Sequence, residues 1–167
     1  TRDHKWKKMN KILGIVAVEQ DDFFPFGKQT FYFEDLINSS PELEVDFFVF
    51  SPLKWELNSD IIEGYYYKDN KWTKSFSSFP KIIYDRAFAK SKEDKQKIED
   101  FRKYLIQSQT KVLNPVLYAE LLNNKIELPK DTDELFGKAI TLEPELCLKI
   151  YKLLWKQLLL HDEVINS

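Results

Sequence analysis

Apolar residues fall along this chain in two regimes: short dense runs of β-branched and aromatic residues, and longer stretches in which apolar positions recur three or four apart. Residues 11–18 form the first dense run. It is far short of the roughly 18 residues that a membrane helix needs and suits an interior strand buried on both faces. A helical pattern over residues 28–39 places Phe33, Leu36 and Ile37 on one face and stops at Ser39, Ser40 and Pro41. A second run of the buried-strand type covers residues 45–50 and ends before Pro52. Strand, helix and strand in this order make a βαβ unit.

The pattern then changes. Residues 61–68 and 71–76 are aromatic-rich and flank the turn pair Asp69 and Asn70, which predicts a β-hairpin. Pro80 introduces a third core strand over residues 81–84, running directly into Asp85 and Arg86. Ser91 followed by Asp94 is a helix-start signal, and Ile98, Phe101 and Leu105 repeat at helical spacing behind it. Residues 111–113 read as a fourth short strand and 116–123 as a helix. The segment 141–160 is helical, with Lys149, Lys152 and Lys156 on one narrow stripe and apolar residues over most of the remaining circumference. Such a helix packs on two sides, either sandwiched within the fold or, through residues 142–160, against a second copy or another domain. The elements predict an α/β fold: an open, mostly parallel sheet with an inserted hairpin and a C-terminal helix. Residues 1–8, ahead of Met9, read as an extension, residues 9–140 as the α/β domain, and residues 141–167 as the C-terminal amphipathic helix and tail.

Composition narrows the function classes. The 167 residues carry 25 basic and 27 acidic groups, so no long-range field attracts a polyanion, and no local basic patch points to nucleic acid or to an acidic membrane. The lysines before the first strand imitate a signal peptide, but Glu19, Asp21 and Asp22 follow the apolar run at once. The single cysteine, Cys147, sits in a Leu-rich stretch and reads as a buried thiol, which fits a reducing, cytoplasmic compartment.

In an open α/β sheet, ligands bind beyond the carboxyl ends of the strands. Three segments fall there. The first is residues 21–29, where Gly27 opens the first helix with Lys28 and Gln29 in its first turn, either an anion-facing turn or a simple chain reversal. Asp85 and Arg86 end the third core strand. Arginine is scarce, three against 22 lysines, so Arg86 reads as a fork for a carboxylate or phosphate, or as half of a structural Asp–Arg pair. Asn114 ends the fourth strand and either fixes a ligand or caps a helix. A Walker loop, a dinucleotide G-x-G-x-x-G pattern, metal-ligand spacing and a hydrolase elbow are all missing from the sequence. Neither His4 nor His161 has a setting that suggests acid–base chemistry.

Five ordered motifs extend this reading: Pro25-Phe26-Gly27-Lys28-Gln29-Thr30; Trp72 with Phe79-Pro80; Ile83-Tyr84-Asp85-Arg86; Leu113-Asn114-Pro115; and Lys125 followed by Leu128-Pro129 and Thr132. In order and spacing, through about residue 135, the chain resembles the N-terminal part of the YheC/YheD-like ATP-grasp family. The resemblance implies a Rossmann-like pre-ATP-grasp lobe, which forms the acceptor-substrate side of the cleft in ligases that activate a carboxylate with ATP for attack by an amine. Beyond Thr132 the chain departs from that family. The Lys-Pro pair for the nucleotide phosphates, the Gly-rich loop and the Mg²⁺ ligands are missing. The resemblance therefore implies a binding lobe for a small carboxylate or peptide, without catalytic or metal-binding residues of its own. ATP and Mg²⁺ would enter only with a separate ATP-grasp domain. The expected site is Gly27, Lys28, Gln29, Asp85, Arg86 and Asn114. A subunit of a split ligase and a self-associating structural protein are the alternatives.

Overall fold

The computed structural model describes residues 11–20, 24–39, 45–108, 110–113, 149–150, 152–154, 156–157 and 160–161. In chain order its regular elements are β1 (Lys11–Val16), α1 (Gln29–Asn38), β2 (Val45–Phe50), β3 (Ile61–Lys68), β4 (Lys71–Ser78), β5 (Ile82–Asp85), α2 (Lys92–Gln107) and β6 (Lys111–Val112), with a 3₁₀ turn at Pro52–Lys54. The strands form one open, six-stranded sheet in the order β4-β3-β2-β1-β5-β6. β1 pairs in parallel with β2 and β5, and β5 with β6, whereas β3 and β4 join antiparallel. The fold is α/β with a mixed sheet, and the hairpin lengthens that sheet rather than standing apart from it.

Period-2 alternation along the central strands divides the core in two. Leu13, Ile15, Phe47, Val49, Ile82 and Tyr84 face α1 and pack on Tyr32, Phe33 and Leu36. Val16, Phe48, Phe50 and Ile83 face α2 and pack with its Ile98, Phe101 and Leu105. The dense apolar runs are explained by this two-sided burial. The hairpin turn has Asp69 and Asn70 at φ 54° and 61°, the left-handed pair that a two-residue turn requires. Pairing of Ile61 with Ser78 carries β4 two residues beyond the expected Phe76, because the ladder continues as long as β3 offers partners. At α2, Ser91 Oγ accepts from the Asp94 N–H at 3.1 Å, which is the helix-start bond the sequence suggests.

The C-terminal helix belongs to the α1 face. Ile150 and Leu154 are buried in the same core as α1, while Lys149, Lys152 and Lys156 are exposed. The Tyr32 hydroxyl joins the Tyr84 hydroxyl at 2.9 Å and donates to the Leu154 carbonyl at 3.4 Å, tying α1, β5 and this helix together. Burial raises both phenols above their ordinary range, so they remain protonated. Gln157 Nε2 donates to Ser39 Oγ, and the His161 ring meets Asp35 at 2.9 Å. Ile150, Leu154 and, in part, Leu153 thus pack within the chain, while Leu160 is exposed. The predicted helix over 116–123, the extension 1–8 and Cys147 lie outside the described residues. Among the described residues, no helix is long and apolar enough to cross a membrane.

Candidate functional site

β1 leads through α1 to β2 on one side, and its other neighbour, β5, leads through α2 to β6, with α1 and α2 on opposite faces. The carboxyl ends of β1 and β5 therefore flank the point where chain direction across the sheet reverses, the usual ligand position in such sheets. A cleft of about 590 Å³ opens there between the turn entering α1 and the loop after β5. Phe24, Phe31 and Phe88 supply its apolar wall, Lys28 and Lys90 its charge, and Gln20 and Gln29 its amides.

The turn depends on Gly27, whose φ of +59° is unfavourable for a residue with a Cβ; an added methyl would also come within 3.1 Å of Gln20 Cγ. The turn ties up four of its own amides. The Gly27 N–H donates to the Phe24 carbonyl, that of Gln29 to Phe26, that of Thr30 to Gly27, and that of Phe26 to Thr30 Oγ1. Of the two readings of this turn, anion-facing or simple chain reversal, these bonds are those of a chain reversal. The cleft's positive charge comes from side chains. Lys90 donates from its ammonium to Gln20 Oε1, a neutral partner, and Lys28 is exposed at the position just before α1.

Gln29 and Arg86, 57 residues apart, form a reciprocal pair. Gln29 Nε2 donates to the Arg86 carbonyl at 2.9 Å, and Arg86 Nε donates to Gln29 Oε1 at 3.0 Å. The Arg86 guanidinium also lies 5.1 Å from the Phe88 ring centroid. Arg86 thus stands behind the wall and braces Gln29 and Phe88. Asp85 does not orient it. The Asp85 carboxylate accepts from Arg102 Nε at 2.8 Å and Nη2 at 3.2 Å and from the Ala87 N–H at 3.0 Å, while Arg102 Nη2 also donates to the Ala87 carbonyl. An Asp–Arg pair does hold the loop, but its arginine comes from α2, and the bond it donates to Asp85 raises the guanidinium pKa further. Of the expected site residues, Gly27, Lys28 and Gln29 line the cleft, Arg86 supports it, Asp85 fastens the loop to α2, and Asn114 lies outside the described residues.

Phe24, Phe31, Phe88, Gln20 and Lys90 escape the sequence reading. For Phe24, Gln20, Phe88 and Lys90 the one signal is position after the ends of β1 and β5, whereas Phe31 lies within α1 and carries none. A second cluster beside β2 also escapes it. Glu19 pairs with Lys54 at 2.7 Å and accepts from the Tyr65 hydroxyl, while Glu63 meets Lys74 at 3.3 Å and Lys54 at 3.7 Å. Burial alone would raise the Glu19 carboxyl, but the bonds from Lys54 and Tyr65 and the nearby ammonium charges outweigh it and hold the pKa below the ordinary value. Burial and the bond to Glu19 push the Tyr65 phenol up to about 12. Among the described residues, no group of three His, Cys, Asp or Glu side chains is placed to hold a metal ion.

Compared with protein-family models, curated proteins and solved structures, the chain gives no significant match.

Proposed function

We propose that this chain is a ligand-binding, Rossmann-like α/β module, the substrate-side pre-ATP-grasp lobe of a carboxylate–amine ligase system, binding a small carboxylate or peptide without catalysing a reaction alone. The observation that supports the reading is the cleft at the reversal point of the sheet, with Gly27, Lys28 and Gln29 in its wall and Arg86 locked against Gln29. Lysine ammonium groups and a braced amide recognise a carboxylate by charge and by hydrogen bonding. ATP and Mg²⁺ belong to a separate ATP-grasp domain in this reading. The reading also places the chain in the cytoplasm. Burial of Ile150 and Leu154 against α1 favours the binding module over a docking role for residues 142–160.

Titration calorimetry with ATP and with amino-acid and peptide carboxylates, on the wild type and on Arg86→Ala, tests the proposal. Carboxylate binding that weakens several-fold in Arg86→Ala, with negligible ATP affinity, is the expected result. Tight nucleotide binding, or no binding of any carboxylate, overturns it.

A further inference from the structure

We propose that the cleft selects an aryl-bearing carboxylate of about dipeptide size, with the aryl group against Phe24, Phe31 and Phe88 and the carboxylate between Lys28 and Lys90. This inference rests on the ligand-binding reading above and names the ligand class for the same site. Three observations carry it. First, Phe24, Phe31 and Phe88 are 40%, 50% and 46% exposed, and all three line one cleft. Scattered apolar residues on a surface are ordinary, but three phenyl groups gathered on a concave wall form an apolar subsite. Second, their geometry suits a ring. Phe24 and Phe31 are tilted against each other with centroids 4.8 Å apart, within the range in which aromatic rings attract, and the Arg86 guanidinium lies over the Phe88 ring and braces it. Third, the described lining residues include two lysines and no carboxylate. Among the described residues Lys90 meets an amide oxygen of Gln20, a contact that leaves its charge in place. A wall that is aromatic on one part and cationic at its rim complements a ligand that is aryl at one end and anionic at the other. The volume of about 590 Å³ exceeds what a single ring fills and accommodates a dipeptide-sized molecule.

The test uses three probes on the full chain: N-acetyl-Gly-Phe, N-acetyl-Gly-Leu and N-acetyl-Gly-Phe amide, each titrated against the wild type, Phe88→Leu and the double variant Lys28→Ala/Lys90→Ala. Both substitutions sit at exposed positions, and circular dichroism with thermal melting confirms that each variant is folded. The aryl carboxylate should bind roughly tenfold more tightly than the leucyl probe and than the amide. Phe88→Leu should bring the aryl probe down to the level of the leucyl one, and the double lysine variant should erase the difference between acid and amide. Equal binding of the aryl and leucyl acids overturns the aryl preference and leaves the ligand-binding reading in place. Equal binding of acid and amide overturns the role of the lysines. Absence of binding by every carboxylate probe overturns this inference, and with amino-acid and peptide carboxylates also silent it overturns the function itself.

Discussion

Two groups of side chains occupy the same carboxyl edge of the sheet and have opposite characters. Beside β2, Glu19, Lys54, Tyr65, Glu63 and Lys74 are joined by ion pairs and a phenol–carboxylate bond, and Tyr65 packs edge-on to Phe26 at 5.6 Å. Beside β5, the phenyl groups of Phe24, Phe31 and Phe88 remain half exposed around a cleft, and Lys28 and Lys90 bring charge without a carboxylate among the described lining residues. Polar groups that satisfy one another fasten the hairpin to the core. Phenyl groups half exposed on a concave wall are, in the function proposed above, the groups that meet a ligand. The difference teaches that charge and aromaticity at a strand end do not by themselves mark a site; their degree of internal pairing does.

The largest expected contrast is between two aromatic truncations. Tyr65→Ala removes a ring packed on Phe26 and the donor to Glu19, and should cost about 2–4 kcal/mol of stability in denaturant unfolding. Phe88→Ala, on the open side, should cost about 0.5–1 kcal/mol. Comparable losses at the two positions would erase the distinction.

Next in size is Arg102→Ala, which leaves Asp85 with the Ala87 N–H alone and should cost about 1–2 kcal/mol, because the guanidinium is partly exposed. It should also loosen the loop carrying Phe88 and Lys90, seen as faster amide hydrogen exchange there.

The smallest effect is pH-dependent. The Glu19 pKa is lowered in the folded chain, so its contribution is complete above the ordinary carboxylate value of 4.5 and is lost as pH falls through the folded value. The stability gap between wild type and Glu19→Gln should be below about 1 kcal/mol at pH 7 and should close below pH 4.5. A gap that widens on acidification would contradict the pairing with Lys54 and Tyr65.

The architecture was readable wherever local pattern decides it. The buried runs at β1 and β2, the Asp69-Asn70 turn and the Ser91 cap each follow from residues within a few positions of one another. The site was readable only in its geography. Gly27 and Gln29 were found from their place at a helix start, and Arg86 from its place at a strand end. That Asp85 binds Arg102 rather than Arg86 depends on how α2 crosses the sheet, and that Glu19 meets Tyr65 depends on the register of β3 against β2, Val49 opposite Tyr65. Phe31 interrupts the apolar stripe of α1 and looks like an ordinary exposed residue until the loop after β5 is placed beside it. Long-range register carries no signal in short-range spacing.

Mapping amide chemical shifts during a titration with N-acetyl-Gly-Phe tests the central claim most directly. Perturbations concentrated at Gly27, Lys28, Gln29, Phe88 and Lys90, with Lys54, Tyr65 and Lys74 unmoved, are what the account predicts. Perturbations centred on the Glu19–Tyr65 cluster, or none anywhere at millimolar probe, would contradict it.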